Sequence, residues 1–205
     1  MSRIDFDPSR IDFAKGEGLV PAIVQDATSA RVLMLGYMDS EALRHTLSTG
    51  MVTFWSRTKQ RLWTKGETSG HTLDVVSIAL DCDADTLLVL ANPNGPTCHR
   101  GCPSCFDPGD TPLMNELARL DAVIAQRLLD RPEGSYTTKL ANAGIRRVAQ
   151  KVGEEGVETA LAAVAQDENA LVDEAADLVY HLGVALRMRG RGFADVLHVL
   201  RERHR

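Results

Sequence analysis

The sequence lacks a long apolar run, an excess of positive charge and any low-complexity tract, and each absence excludes a class of protein. No stretch approaches the roughly 18 consecutive apolar residues that a membrane-spanning helix needs. Lys and Arg number 23 against 28 Asp and Glu, a net charge of −5, which argues against a general polyanion or nucleic-acid binder. The first residues are too acidic and too poor in apolar side chains for a signal peptide. We therefore expect a soluble, cytoplasmic protein without a membrane or nucleic-acid partner.

Cysteine is scarce and unevenly placed. All four cysteines, Cys82, Cys98, Cys102 and Cys105, lie in one short window, whereas a disulfide scaffold would spread them along the chain. Three of them would leave a tetrahedral Zn²⁺ one open position, as a catalytic site requires, while a fourth would make the site structural. A redox pair of Cys102 and Cys105 ranks last, because the residues that follow would not start a helix well. Metal chemistry is favoured, with catalytic and structural zinc both open.

A proline-rich segment near residue 110 separates strand-like from helical sequence patterns. Five of the eight prolines fall between Pro93 and Pro112, where they break regular structure. Before them, short β-branched and apolar runs predict strands, with one helix over about 40–47 that starts at Asp39 or Ser40. After them, apolar residues at three- and four-residue steps predict helices throughout, including a long one over about 142–166.

These two patterns predict an α+β chain of two domains. We place a β-rich domain at 1–107, a linker at 108–112 and an all-α domain at 113–205. Each domain is near the lower size limit for an isolated core, so we expect a homodimer.

Three aspartates, Asp81, Asp83 and Asp85, end a predicted strand. In an extended segment their carboxylates point one way and Cys82 points the other. Carboxylates so close repel one another unless a cation neutralises them, and Mg²⁺ suits oxygen ligands. A solvated acidic turn is the alternative.

Five acidic residues lie on the two long helices of the second half. Glu154 and Glu158 flank the predicted apolar stripe of one helix, and Glu155 lies further round. That stripe consists of Val157, Ala160, Leu161 and Val164. Antiparallel packing on the next helix would bring Glu154 and Glu158 to one rim with Glu174 and Asp177. Mg²⁺ would offset the repulsion there and could hold a polyphosphate; solvated helix edges are the alternative.

Basic and hydroxyl side chains accompany both acidic groups. In the first half they occur in two segments, Phe54-Trp55-Ser56-Arg57 and Lys65-Gly66-Glu67-Thr68-Ser69-Gly70. Loops that combine cations, hydroxyls and glycines can hold a phosphate. In the second half, Lys139 and Lys151 could take phosphates that the metal does not reach. His99, beside Cys98, is either a proton carrier or an ordinary loop histidine.

Taken in order, these residues resemble two enzymes of histidine biosynthesis. The first half is similar to phosphoribosyl-AMP cyclohydrolase in the motifs Leu62-Trp63-Thr64-Lys65-Gly66-Glu67-Thr68-Ser69-Gly70, Asp81-Cys82-Asp83-Ala84-Asp85, Gly95-Pro96-Thr97-Cys98-His99 and Ser104-Cys105-Phe106. The second half is similar to phosphoribosyl-ATP pyrophosphohydrolase, an all-α NTP pyrophosphatase, in Ser135-Tyr136-Thr137-Thr138-Lys139-Leu140, Lys151-Val152-Gly153-Glu154-Glu155-Gly156-Val157-Glu158 and Asp173-Glu174-Ala175-Ala176-Asp177. The two matches cover nearly the whole chain.

The resemblance implies two successive hydrolyses. The helical domain would convert phosphoribosyl-ATP to phosphoribosyl-AMP and pyrophosphate, and the β-rich domain would then open the N1–C6 bond of the purine. It also implies Mg²⁺ on Glu154, Glu155, Glu158, Glu174 and Asp177, with Glu155 also given a catalytic role, and a second Mg²⁺ on Asp81, Asp83 and Asp85. Zn²⁺ would bind Cys82, Cys98 and Cys105, with the site completed across a dimer interface. The substrate-binding residues would be Trp55, Ser56, Arg57, Lys65, Glu67, Thr68, Ser69, Lys139 and Lys151, and we infer that His99 is the general base.

Cys102 departs from the family pattern, which does not require a cysteine there. Two other hypotheses remain at this point. One is a house-cleaning NTP pyrophosphatase with a structural zinc appendage, and the other is a zinc-stapled scaffold that binds nucleotides without turnover.

Overall fold

The computed structural model describes residues 4–107, 109, 113 and 115–204. The chain forms two compact units, Met1–Pro112 and Leu113–Arg205. The fold is α+β as predicted, with every described strand in the first unit and a purely helical second unit. The proposed domain limits stay predictions, because the 108–112 linker lies outside the described residues except for Gly109. No helix within the described ranges is long and apolar enough to cross a membrane.

The first unit is built on a four-stranded sheet. Its elements are β1 (Val20–Asp26), β2 (Val32–Met38), α1 (Ser40–Thr49), β3 (Thr53–Ser56), β4 (Arg61–Thr64), β5 (Leu73–Leu80) and β6 (Leu87–Pro93). The strand order is β2-β1-β6-β5, with β1 and β6 parallel and the outer pairs antiparallel. β3 and β4 form a separate antiparallel hairpin. Sequence patterning missed β4, because its four residues are too few for a strand period to stand out.

The core of this unit lies under one face of the sheet. Val20, Ala22 and Val24 of β1 are fully buried against α1 and the hairpin. The Asp39 carboxylate accepts the Ala42 N–H and starts α1, as predicted. Gly36 is required on β2, because any larger side chain there would collide with the Phe54 ring.

The opposite face of the sheet exposes an apolar row, here called the outer sheet row. Leu35 on β2, Ile23 on β1, Leu88 on β6 and Ala79 on β5 are register neighbours across all four strands. Leu35 and Leu88 are 45% and 38% exposed in the chain. Successive side chains of a strand point to opposite faces of the sheet. The residues of this row therefore alternate along their strands with the residues that are buried in the core.

The second unit consists of five helices. They are α2 (Asn115–Asp130), α3 (Tyr136–Ala143), α4 (Ile145–Ala165), α5 (Glu168–Met188) and α6 (Phe193–Arg203). The predicted helix over 142–166 was wrong at its start, because Gly144 has φ +87° and separates α3 from α4. Ile124, Leu140, Val148 and Val184 form the core of this unit.

The predicted buried stripe of α4 was also wrong. Val157, Leu161 and Val164 are 61%, 56% and 87% exposed, whereas Val148, Glu155 and Ala162 are the buried residues of this helix. The prediction assumed that the most apolar face packs inward, but α4 turns an acidic residue inward instead. Val172 and Val179 of α5 are exposed as well. With the three α4 residues they are here called the outer helix residues.

A buried ion pair joins three helices of the second unit. Asp121 of α2 is 5% exposed and receives two hydrogen bonds of 2.6 Å from the Arg187 guanidinium of α5. The same carboxylate accepts the Phe193 N–H at the start of α6, at 3.2 Å. A bidentate contact of this kind pairs the two charges and also fixes the relative orientation of the two side chains.

We predict that Arg187→Met lowers the free energy of unfolding of the helical unit by about 3 kcal/mol, because it leaves the Asp121 charge buried without its cation. Chemical denaturation followed by helical circular dichroism measures the change. Arg191→Met is the matched control, since its exposed pair with Asp195 is worth roughly 0.5 kcal/mol or less. Equal losses in the two variants would contradict the assignment.

Candidate metal and substrate sites

A cavity of about 500 Å³ in the first unit gathers seven of the predicted cyclohydrolase-like residues. The predicted residues that line it are Lys65, Glu67, Thr68, Ser69, Cys98, His99 and Cys105. His71, Trp63 and Met34 also line it and were not predicted. Of these, His71 was within reach of sequence analysis, because it directly follows the Thr68-Ser69-Gly70 loop.

The remaining predicted substrate residues of this unit lie outside that cavity. Trp55 pairs with Leu62 in the β3–β4 hairpin. The Arg57 guanidinium lies 3.9 Å from the centre of the Tyr37 ring, a cation–π contact. The chain therefore does not bring Trp55, Ser56 and Arg57 together with the Lys65 loop around one cavity.

The loop that carries the cysteines is held firmly to β2. The Cys105 N–H donates to the Leu33 carbonyl at 2.8 Å, and the Ser104 hydroxyl donates to the Val32 carbonyl at 2.8 Å. Asp107 accepts the Ser104 N–H at 3.2 Å and also pairs with Arg31. These contacts fix the backbone of the loop on either side of the Cys105 side chain.

Cys98 and Cys105 are close enough to influence one another, and a lysine lies beside them. Burial raises the pKa of the Cys105 thiol, the neighbouring Cys98 raises it further, and the Lys65 ammonium lowers it. Lys65 is 6% exposed and donates to the His71 carbonyl at 2.9 Å. Burial lowers the pKa of Lys65, while the two cysteines raise it. Two soft ligands beside a buried cation fit one half of a tetrahedral thiolate site.

Cys82 does not join this pair within one chain. It is exposed in the turn after β5. The metal-ligand groups that the described residues form do not unite its sulfur with those of Cys98 and Cys105. Cys102 is half-buried, and its carbonyl accepts the Cys98 N–H at 3.0 Å. One chain thus supplies two sulfur ligands at the cavity and carries the third predicted ligand elsewhere.

The three aspartates do come together, although not on a strand. Carboxylate oxygens of Asp81, Asp83 and Asp85 lie within 4.8 Å of one another. β5 ends at Leu80, so the expected alternation of an extended segment was wrong. The chain turns instead, and the Asp81 carboxylate accepts the N–H groups of Asp85 and Thr86 at 3.0 and 3.1 Å.

Hydrogen bonds and a lysine stabilise the carboxylates of this turn. Desolvation raises the pKa of Asp81, but the N–H groups of Thr86 and Asp85 outweigh it and hold that pKa below its usual value. The Lys15 ammonium lies 3.2 Å from Asp83 and 3.6 Å from Asp85. Three carboxylates within one small volume suit a hard divalent cation.

The acidic group of the helical unit differs from the predicted one in two members. Carboxylate oxygens of Glu155, Glu158 and Glu174 lie within 4.8 Å of one another, and Glu155 is 4% exposed. Glu154 faces the preceding turn instead, where it accepts from Gln150 at 2.8 Å. Asp177 also lies outside this group. Because α4 is rotated relative to the prediction, Glu155 takes the inward place that we assigned to Glu154.

Lys151 neutralises part of this acidic group. Its ammonium lies 2.5 Å from Glu155 and 3.1 Å from Glu154. The hydrogen bond from Lys151 lowers the pKa of Glu155, and the same contacts raise the pKa of Lys151. Desolvation raises the pKa of Glu158, and the charges of Glu155 and Glu174 raise it further. The group therefore carries uncompensated repulsion at Glu158.

Sequence analysis assigned no role to His181, which borders this group. It is 4% exposed, with Nδ1 3.7 Å from Glu155 and Nε2 3.1 Å from the Tyr136 hydroxyl. Its place seven residues after Glu174 on the same helix edge was the available signal. Lys139, a predicted phosphate ligand, is exposed on α3.

Comparison with known proteins assigns each unit to a family model. Residues 34–107 match the phosphoribosyl-AMP cyclohydrolase model, and residues 117–204 match the phosphoribosyl-ATP pyrophosphohydrolase model.

Whole-length relatives carry both parts in one chain. A histidine biosynthesis bifunctional protein HisIE of Xanthomonas axonopodis pv. citri is 62% identical over 201 residues, which cover 97% of this chain and 95% of the relative. HisIE of Escherichia coli K12 is 60% identical over 195 residues, 95% of each chain. HisIE of Vibrio cholerae is 56% identical over 199 residues, 96% of this chain and 94% of the relative. These matches do not favour a house-cleaning pyrophosphatase with a zinc appendage.

We predict that Glu158→Gln raises the melting temperature of the helical unit in metal-free buffer, because it removes the least compensated charge. The difference in melting temperature between the variant and the wild type should become smaller at acid pH. The pKa of Glu158 is raised, so its protonation relieves the same repulsion in the wild type. In the same variant, the rise in melting temperature on addition of Mg²⁺ should shrink. Thermal scans of helical circular dichroism with and without Mg²⁺ measure both effects.

Glu116→Gln is the control, because Glu116 lies on the exposed surface of α2, where it pairs with Arg119, and outside the acidic group. It should keep the Mg²⁺-dependent rise in melting temperature. A full Mg²⁺ response in Glu158→Gln would show that this group does not bind the ion.

Proposed function

The chain belongs to the family of HisIE bifunctional histidine-biosynthesis proteins, and we propose which reaction each of its units catalyses. The second unit hydrolyses phosphoribosyl-ATP to phosphoribosyl-AMP and pyrophosphate, and the first unit opens the purine ring of phosphoribosyl-AMP between N1 and C6. One observation carries this assignment: the two family models match the two units separately, and each unit holds its own group of clustered anionic ligands.

For the first unit we assign a zinc site to Cys98 and Cys105, completed by Cys82 of a second chain. Thiolates are ligands that Zn²⁺ favours, and Lys65 stabilises their charge. When bound, Zn²⁺ lowers the pKa of a water molecule toward neutrality. The neighbouring aspartates Asp81, Asp83 and Asp85 would hold Mg²⁺.

The ring-opening step uses side chains of the cavity. His99, whose Nδ1 lies 4.0 Å from the Cys98 sulfur, accepts a proton as water adds to C6 of the purine. The N1–C6 bond then breaks, and N1 takes up that proton. Lys65, Thr68 and Ser69 line the cavity and would bind the phosphate of the substrate, and Glu67, which also lines it, would bind a ribose hydroxyl. Trp55, Ser56 and Arg57 remain candidate contacts to the part of the substrate outside the cavity.

For the second unit we assign Mg²⁺ to Glu155, Glu158 and Glu174. When bound, Mg²⁺ neutralises the charge of the triphosphate and orients it. Glu155 is buried, and the hydrogen bond from Lys151 lowers its pKa; we assign to it the proton from the water that attacks the α–β linkage. Lys139 and Lys151 are the candidate phosphate ligands. Lys151 would then have to leave the two glutamates, and Glu154 and Asp177 would have to reorient in order to join the metal ligands.

We propose a homodimer as the working form. The outer sheet row and the outer helix residues leave apolar side chains in water, which a second copy of the chain would cover. The separation of Cys82 from the other two cysteines gives an independent reason. A thiolate site also requires reduced cysteines, which supports a cytoplasmic location.

We predict that cysteine substitutions separate the two activities. With phosphoribosyl-ATP, Mg²⁺ and Zn²⁺ supplied, Cys105→Ser should release pyrophosphate at the wild-type rate and fail to open the ring. Cys102→Ser should keep both activities, because the fourth zinc position stays open to water. Pyrophosphate release and ring opening are followed as separate signals. Pyrophosphate without ring opening in the wild type would favour a house-cleaning pyrophosphatase, and neither signal would favour a nucleotide-binding scaffold.

We predict that two inactive variants restore ring opening when mixed. Cys82→Ser and Cys105→Ser chains are unfolded and refolded together, so that random pairing yields mixed dimers. If the zinc site is shared, each mixed dimer has one intact site, and activity should reach about a quarter of the wild-type value. Each variant refolded alone is the control. Absence of recovery would place all three ligands within one chain.

A further inference from the structure

A buried histidine and a tyrosine form a hydrogen-bonded pair at the edge of the helical acidic group. The Tyr136 hydroxyl of α3 lies 3.1 Å from Nε2 of His181 on α5. The Tyr136 ring meets His181 edge-on at a centroid distance of 5.9 Å, and Tyr180 does so at 5.3 Å. His181 is 4% exposed, so its ring nitrogens can be satisfied only by groups of the protein.

The contacts of this ring fix the orientation of its nitrogens. Nδ1 lies 2.8 Å from the backbone carbonyl of Asp177, which can only accept a hydrogen bond. Nδ1 therefore carries a proton, and Nε2 is hydrogen-bonded to the Tyr136 hydroxyl. With both nitrogens engaged, the ring cannot flip without breaking two hydrogen bonds.

The Nδ1 edge of the ring also borders the acidic group. Nδ1 is 3.7 Å from a carboxylate oxygen of Glu155, the most buried member of that group. Glu155 lies on α4, while His181 and Glu174 lie on α5. The ring thus lies where the helices that supply the acidic ligands meet.

We propose that Tyr136 and His181 are positioning residues for pyrophosphate release. Tyr136 locks the His181 ring, and the ring, 3.7 Å from the Glu155 carboxylate, limits that carboxylate to the orientation that binds the metal ion. This rests on the proposed function of the second unit. Side chains that surround metal ligands typically orient them and contribute to metal affinity as well as to rate.

A neighbouring pair of hydroxyls provides a matched control. The Tyr180 hydroxyl lies 2.8 Å from the Thr137 hydroxyl, and its ring stacks on Tyr136 at 6.1 Å. Tyr180→Phe therefore removes one hydroxyl from the same aromatic cluster without touching a nitrogen of His181. A role in packing alone would make the two Tyr→Phe variants equivalent.

The test compares Tyr136→Phe with Tyr180→Phe in the full chain. Tyr136→Phe should lower kcat for pyrophosphate release about tenfold and raise about tenfold the Mg²⁺ concentration that gives half of the thermal shift of the helical unit. KM for phosphoribosyl-ATP should stay within about twofold, because the substrate contacts remain. Tyr180→Phe should match the wild type in all three measurements. Ring opening of added phosphoribosyl-AMP should be unchanged in both variants, and helical circular dichroism should match the wild type, which shows that the second unit is folded.

A double-mutant cycle shows whether Tyr136 acts through His181. His181→Phe keeps the ring and removes both hydrogen bonds, so Tyr136→Phe should add nothing in its presence. Wild-type Mg²⁺ dependence in Tyr136→Phe, equal loss in Tyr180→Phe, or additive losses in the double variant would each overturn the proposal. Failure of the proposed function is distinct, because Glu158→Gln would then retain its Mg²⁺ response.

Discussion

Carboxylates can share a small volume only when positive charge lies among them, and both acidic groups of this protein meet that requirement with a lysine. Lys15 lies against Asp83 and Asp85 in the first unit, and Lys151 lies against Glu154 and Glu155 in the second. In each case the lysine offsets part of the repulsion and leaves at least one carboxylate without a cation. The ligands are therefore gathered before a metal ion arrives, and the remaining repulsion favours its binding.

The thiol pair follows the same principle with softer ligands. Lys65 is buried beside Cys98 and Cys105, where its charge reduces the cost of forming thiolates. The Ser104 hydroxyl and the Cys105 N–H hold the backbone of this loop to β2. Among the described residues of one chain, the Cys82 sulfur does not join those of Cys98 and Cys105. In the function proposed above, Cys82 of another copy of the chain completes the site.

The sequence predicted the fold class, the segments that carry the clustered acidic residues and the change from strand-like to helical patterning near residue 110. It was less successful with orientation. Hydrophobic periodicity predicted α4 but assigned the wrong face to the core. Glu155 occupies a buried position of this helix, and a rule that places apolar residues in the core cannot identify a buried acid. The start of α4 was missed because Gly144 was not recognised as a helix boundary. For His181 the sequence showed only its place on the same helix edge as Glu174; its hydrogen bond to Tyr136, which lies 45 residues earlier in the chain, appears only in the fold.

The parallel pairing of β1 with β6 has a consequence for how the chain assembles. These strands lie at the centre of the sheet, yet the rest of the β-rich unit separates them in sequence. During synthesis β1 must wait, without its central neighbour, until β6 has left the ribosome. The α4–α5 hairpin needs only local encounters. The helical unit should therefore reach its native structure faster than the unit that precedes it. The unit that is synthesised first is thus expected to be the slower one to fold.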